Sequence, residues 1–231
     1  MQALETRKNQ LFQAIVRQHI ALGEPIGSKV LVEQAGLDCS SATVRNDLAA
    51  LEQDGYLTHP HTSAGRVPTE KGWRMYLEQF MQEVPVPKKA QDALGKAKAE
   101  GSDENHSLKQ VAKTLAELSQ QTAIIGFGPD DTYYTGLSHL FNKPEFAELD
   151  LMQHLSEVID HLDTAMRKLM KSSTAEDVRV LVGSDNPIDE RCSLLVIRPP
   201  NVDDRVFALL GPMRMDYDRL LPLVRFTRTL I

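Results

Sequence analysis

The chain of 231 residues has 42% hydrophobic residues and a net charge of −6, enough apolar material for two modest cores. No uninterrupted apolar run approaches the ~20 residues that a membrane helix needs, and the amino terminus has no signal-peptide pattern. A soluble cytoplasmic protein without membrane contact is expected. The two cysteines, Cys39 and Cys192, fit reduced residues in packed positions better than a disulfide.

A first helix is predicted over about Leu4 to Leu22, with Leu11, Phe12, Ile15, Val16 and Ile20 on a wide apolar stripe. After the turn Glu24-Pro25-Ile26-Gly27, Ser28 opens a second helix from about Lys29 to Ala35, and Gly36 closes it. Leu37-Asp38-Cys39 then leads into a third helix, capped by Ser40 and ended by Gly55. Two helices joined this closely match a helix-turn-helix, with the second as the reader. Ser28 and Lys29 become phosphate candidates, because free amides and the dipole at a helix start attract anions.

The third helix has two different faces. Val44, Leu48 and Leu51 repeat at i, i+4, i+7 as a buried stripe, whereas Ala42, Arg45, Asn46, Ala49 and Gln53 project to the other side, near Ser41 and Thr43. The alanines allow close approach to a duplex, and Arg45, Asn46 and Gln53 offer the side chains that pair with purine edges. The alternative is an ordinary amphipathic surface helix, in which Arg and Gln are simply good helix formers. Asn46, a poor interior helix residue, speaks mildly against it.

A tight polar hairpin follows, with strands at Tyr56 to His59 and Arg66 to Pro68 around Pro60 and Ser63-Ala64-Gly65. His61, Thr62, Ser63 and Arg66 put hydroxyl, imidazole and guanidinium donors at its tip, a chemistry that phosphates and the minor groove accept. By itself this is also what a solvated turn looks like. Its place directly after a helix-turn-helix makes it a wing. Thr69 is placed to cap a further helix on which Trp73, Tyr76, Leu77 and Phe80 recur at helical spacing, and Trp73, Tyr76 and Phe80 read as core and dimer-facing residues.

From Val84-Pro-Val-Pro87 to Asn105 apolar periodicity fades, and the stretch reads as a linker, part extended and part weakly helical. Ser107 to Gln121 is helical again, Thr122 to Phe127 is a strand, and Leu155, Val158, Ile159, Leu162, Met166 and Leu169 mark a long helix that covers the chain's own sheet rather than a partner. Strands are expected at Val178 to Val182, Ser193 to Ile197 and Val206 to Leu210, then a closing helix from about Asp216 that Pro222 kinks or restarts. Helices gathered on one side of these strands suggest an α+β domain. The boundaries are residues 1–83 for a winged helix-turn-helix domain, 84–106 for the linker and 107–231 for the second domain.

Signals for catalysis are sparse. His59 and His61 could share a face of a strand, but no further ligand lies at metal spacing beside them. Ser184-Asp185-Asn186 has no positioned base, and there is no Gly-rich phosphate motif. Neither an enzyme nor a bound cofactor is expected. The acidic balance does not argue against DNA: residues 1–81 hold about as many acids as bases, and screening limits exposed charges to ~8 Å at physiological salt.

Several runs carry a likeness more specific than a winged helix. Gly23-Glu-Pro-Ile-Gly-Ser-Lys29, Ser41-Ala-Thr-Val-Arg-Asn-Asp47, Leu51-Glu-Gln-Asp-Gly-Tyr-Leu57, His61-Thr-Ser-Ala-Gly-Arg66 and Val67-Pro-Thr-Glu-Lys-Gly72 resemble the heat-inducible transcription repressor HrcA family. Phe141-Asn-Lys-Pro-Glu-Phe146, Val182-Gly-Ser-Asp-Asn-Pro187 and Gly211-Pro-Met-Arg-Met-Asp-Tyr217 resemble its carboxy-terminal blocks, in order. The resemblance implies a repressor of chaperone operons that binds an inverted-repeat, double-stranded DNA operator as a homodimer, with the chaperonin GroEL favouring the active form. It places DNA reading on Arg45 and Asn46, and the wing role on Thr62, Ser63 and Arg66. It also implies a GAF-like second domain, here with a shortened middle where Thr122 to Phe127 passes almost directly to Tyr133-Tyr134-Thr135-Gly136. A second reading keeps the winged helix but makes the GAF-like domain a small-molecule sensor; a polar-lined pocket would favour the sensor and a filled core the repressor.

Overall fold

The apolar stripe of helix α1 (Gln2–Leu22) seals Leu11, Phe12, Ile15 and Val16 completely and leaves Ile20 half-buried. In this computed structural model the described residues are 2–28, 30–31, 40–60, 65–128, 130–146, 159, 162–172, 177–199 and 205–231. The chain divides into two units, Met1–Met81 and Gln82–Ile231.

In the first unit α1 is followed by a helical turn at Ser28, Val30 and Leu31, helix α2 (Ser41–Gln53), strands β1 (Leu57–Thr58) and β2 (Val67–Pro68), and helix α3 (Glu70–Gln79). The expected end of the second helix and the connection through Gly36 and Cys39 lie outside the described residues. Thr69 caps α3 as expected, accepting from the Gly72 N–H at 3.0 Å and donating its own hydroxyl to the Gly55 carbonyl at 2.6 Å. Trp73 and Tyr76 are sealed in the core of this unit, and Phe80 is half-buried against Phe12. A dimer-facing role for Trp73 and Tyr76 is thereby corrected: rings with no exposed surface cannot meet a partner.

The second unit opens with helix α4 (Lys88–Ala99), where a linker was expected. Its stripe is narrow, only Ala90, Leu94 and Ala97 at i, i+4, i+7, and it suffices because these small residues pack closely on helix α5 (Glu104–Ser119). Asp103 caps α5 by accepting from the His106 N–H at 2.8 Å, so that helix starts earlier than Ser107. Strands β3 (Thr122–Gly128) and β4 (Asp131–Thr135), helices α6 (Leu137–Phe141) and α7 (Leu162–Ser172), strands β5 (Arg179–Val182), β6 (Cys192–Ile197) and β7 (Val206–Pro212), and helix α8 (Tyr217–Arg228) follow. The strands form one antiparallel sheet in the order β4-β3-β7-β6-β5, in register at Ile125↔Tyr133, Ile124↔Ala208, Leu195↔Leu209 and Leu181↔Leu194.

Both faces of this sheet are covered, which corrects the expectation of helices on one side. Ile124, Leu194, Val196, Ala208 and Leu210 pack with Leu162, Met166 and Leu169 of α7, as expected for that helix. The alternating set Ala123, Ile125, Leu195, Phe207 and Leu209 is buried as well, with α5 against β3 and α8 against β6. Burial on both sides is why these strands read as continuous apolar runs. The expected helix between Leu151 and Val158 lies outside the described residues.

Helix α8 runs through Pro222 unbroken. A proline there cannot donate to the Asp218 carbonyl, and the Val84 N–H fills that role at 2.8 Å while the Gln82 N–H donates to Asp218 Oδ1 at 3.0 Å. Arg225, one turn on, holds Glu83 at 2.7 Å and Asp177 at 2.9 Å. The extended Val84 to Pro87 segment is thus tied to α8.

Met166, fully buried between α7 and the sheet, carries a direct test. Met166→Ala should destabilise the second unit by about 2–5 kcal/mol, read as faster exchange of the Ile124 and Ile125 amides; unchanged exchange would contradict the placement of α7.

Candidate nucleic-acid interface

Helix α2 is set in place by its first residues. Ser40 stands in extended backbone, and its hydroxyl accepts from the Thr43 N–H at 3.2 Å and lies 3.0 Å from Thr43 Oγ1, satisfying a free amide at the helix start. At the other end Gly55 adopts φ +78°, the left-handed conformation that ends a helix and favours glycine. Lys71 Nζ donates to the Asp54 carbonyl at 2.7 Å and lies over the Tyr56 ring, a cation where the helix leaves negative carbonyls.

The two faces separate as expected. Val44, Leu48 and Leu51 are buried, whereas Ser41, Ala42, Arg45, Asn46, Ala49 and Gln53 are exposed and Thr43 is half-buried. The exposed face thus sets the donors of Arg45 and the amide of Asn46, a donor and an acceptor, beside the methyl groups of Ala42 and Ala49. Ser28 lies half-buried in the first turn of the preceding helix, where the Leu31 N–H reaches the Gly27 carbonyl at 3.4 Å. Lys29 lies outside the described residues.

Asp47 is the buried residue that the sequence reading missed. Arg7 of α1 donates to its two carboxylate oxygens at 2.6 and 3.1 Å, a bidentate geometry that fixes rotation as well as distance. The available signal is the position itself: an acid three residues after Val44, on the apolar stripe, requires a cation from a neighbouring element.

The hairpin after α2 is shorter than the expected Tyr56 to His59 and Arg66 to Pro68. Leu57 pairs with Pro68 and Thr58 with Val67, and Arg66 instead pairs with Ile26 through two backbone hydrogen bonds of 2.9 Å. Gly65 allows this approach, since a Cβ there would stand 2.4 Å from the Ile26 carbonyl carbon.

Arg66 is not at the hairpin tip, which corrects the sequence expectation. The bridge to Ile26 holds it at the base, where its Nη2 donates to Glu52 Oε2 at 3.2 Å and its side chain is only 18% exposed. His59, just after β1, meets the same carboxylate, with Nε2 at 3.3 Å from Glu52 Oε1 and Nδ1 at 3.3 Å from the Gly65 carbonyl. Glu52, and the contact that His59 makes with it, were also missed, because only the fold brings the end of α2 against both sides of the hairpin. His61, Thr62 and Ser63, expected at the tip, lie outside the described residues, and with them the question of whether His59 and His61 share a face.

Elsewhere the chemistry is structural. Cys192 is buried and free, and burial pushes its thiol up, against the reactive thiolate. Tyr217 lies 2.7 Å from both Ser193 Oγ and the Met213 carbonyl, which holds α8 to the sheet. Among the described residues no group of three or more His, Cys, Asp or Glu could hold a metal ion, and no helix is long and apolar enough to cross a membrane.

A helix with one buried and one exposed face beside a hairpin in one unit, and a GAF-like α+β sheet in the other, define the class of the chain. The family model described as "HrcA protein C terminal domain" matches residues 71–221, and the chain belongs to that family. A protein named "Heat-inducible transcription repressor HrcA" from Mycobacterium sp. (strain KMS) is 43% identical over 127 residues, 55% of this chain and 37% of that protein. One of the same name from Nocardia farcinica (strain IFM 10152) is 42% identical over 123 residues, 53% of this chain and 35% of that protein. These matches thus span little more than a third of the relatives' length. A solved structure described as "Crystal structure of a hypothetical protein at 2.2 A resolution" has a TM-score of 0.69 at 18% identity, covering 97% of this chain and 95% of that one; it supports the fold.

Removing the cation behind α2 should be felt in the first unit. Arg7→Ala leaves the Asp47 carboxylate without its bidentate partner and should cost about 1–3 kcal/mol, less than for a fully buried pair because Arg7 is 30% exposed. Fluorescence of Trp73, the one tryptophan, follows the transition in urea; an unchanged midpoint would refute the role of the pair.

Proposed function

We propose that the protein is a DNA-binding transcriptional repressor of heat-shock (chaperone) operons, whose first unit is a winged helix-turn-helix domain. The observation that carries this reading is the sorting of α2, which buries Val44, Leu48 and Leu51 and exposes Ser41, Ala42, Arg45, Asn46 and Ala49 along one face. Arg45 and Asn46 pair with purine edges, Ala42 and Ala49 allow the backbone to approach, and the hydroxyls of Ser41 and Thr43 hold a phosphate near the helix start. Ser28 and Lys29 meet the sugar-phosphate backbone from the preceding helix, and His61, Thr62 and Ser63 do so from the wing. Membership of the family, and the printed name of the relatives, support the repressor role.

In this reading the protein binds an inverted repeat as a homodimer, with two reader helices one turn of duplex apart, ~34 to 36 Å, or a multiple of it. The second unit serves dimerisation and the response to a chaperonin of the GroEL kind. A small-molecule sensor is less well supported. Among the described residues, a cavity lined by Ile124, Leu137, Leu140, Leu162 and Leu210 is apolar and about 10 Å³, room for a single water and too small for a ligand of the ~300–1,000 Å³ class.

Selection of genomic fragments retained by the protein identifies the operator, and gel-shift titration of that duplex against a scrambled one measures preference. Arg45→Ala should lower the specificity ratio about ten-fold, within the ~1–3 kcal/mol of a bidentate base contact, while the fold is retained. An unchanged ratio would remove Arg45 as the reader.

A further inference from the structure

Glu52 sits at the carboxy-terminal end of α2, and both sides of the hairpin reach its carboxylate. Arg66, just before β2, donates to Oε2 at 3.2 Å, and His59, just after β1, stands 3.3 Å from Oε1. His59 also spans the hairpin itself, with its other ring nitrogen 3.3 Å from the Gly65 carbonyl. One acid on the helix thus touches both sides of the hairpin at the point where the wing begins. We infer that Glu52 is a positioning residue, which sets the angle of the wing against the reader helix and thereby lets both engage one duplex. This inference rests on the DNA-binding reading and deepens it.

The state of Arg66 gives the main support. Its side chain is 18% exposed, and its Nε is sealed from solvent with no hydrogen-bond partner among the described residues. A guanidinium placed to grip phosphate would present its donors outward. This one is turned into the protein, so Arg66 acts on DNA through Glu52 and the wing. The backbone bridge between Arg66 and Ile26 ties the residue before β2 to the turn after α1, and the two-residue ladder Leu57↔Pro68, Thr58↔Val67 is short. So short a ladder is marginal by itself, and the carboxylate adds a side-chain constraint that reaches both sides of the hairpin from α2.

Simple electrostatics and positioning give opposite signs. Deleting an acid beside a DNA-binding surface removes repulsion from phosphate and should tighten binding. Deleting a positioning acid should weaken binding, because the wing no longer meets the backbone while the reader is in the groove.

The test uses the full chain with Glu52→Ala, Arg66→Ala, the double variant and the conservative Glu52→Gln, each confirmed as folded by Trp73 fluorescence. Hydrogen exchange at the Thr58 and Val67 amides measures the hairpin in the absence of DNA. Anisotropy titrations with the selected duplex and a scrambled duplex measure binding. The expected results are faster exchange in Glu52→Ala, and affinity about ten-fold weaker for both duplexes with the specificity ratio kept. Arg66→Ala should add little to Glu52→Ala, and Glu52→Gln, which keeps an acceptor oxygen, should recover part of the loss. Unchanged exchange in Glu52→Ala would overturn the inference whatever the DNA result. Tighter or unchanged binding by Glu52→Ala, or a full further loss on adding Arg66→Ala, would overturn it too. A wild-type chain that fails to prefer its selected duplex would instead sink the operator reading, while the exchange measurement still judges the hold of Glu52 on the hairpin.

Discussion

The burial of one stripe of α2 is the constraint on which the account of the first unit depends. Val44, Leu48 and Leu51 each leave water almost entirely, a gain of roughly 1.5–3 kcal/mol per side chain, and that gain fixes which way the helix is turned. Rotating α2 to hide Arg45 or Asn46 would expose those three residues and bury unpaired polar groups. The bidentate pair of Arg7 with Asp47 removes the remaining freedom, since a carboxylate on the buried side tolerates only one orientation towards its cation. The exposed face is therefore a consequence of packing, available before any partner arrives.

Under the proposed function, an acidic chain must hold a polyanion, and the contacts of the first unit indicate how. The net charge of −6 is an average over the whole surface, while a groove-bound helix responds to groups within a Debye length, ~8 Å. Arg7 is committed to Asp47 and Arg66 to Glu52, so two of the cations in the first unit serve its internal geometry. In the proposed role, recognition would fall to Arg45 and Lys29, to amide and hydroxyl donors and to the wing. Such a surface would release few counterions on binding, so the proposed role implies a shallow dependence on salt.

Much of this was legible in the sequence, for identifiable reasons. The serine cap, the i, i+4, i+7 stripe and the closing glycine of α2 are local signals, and each appears where expected. The strands of the second unit were legible as apolar runs, but their two-sided cover was not, because a run of Val, Leu and Ile shows that a strand is buried without showing what buries it. Helix α4 was read as linker because its stripe consists of two alanines and one leucine, a pattern that disappears among lysines. Arg66 was misplaced by the assumption that a hairpin's polar residues gather at its tip. Its backbone bridge to Ile26 is a contact across forty residues of sequence, and no local pattern announces it. Asp47 left a faint trace, an acid on an apolar stripe; Glu52 and its contact with His59 left none.

The central claim is that the exposed face of α2 enters the groove of a DNA duplex. Intermolecular NOEs in a complex of the labelled protein with its selected duplex test it most directly. The account expects contacts from the Arg45, Asn46 and Ala49 side chains to base protons of the major groove. Contacts that come only from other elements, with those three side chains silent, would contradict it.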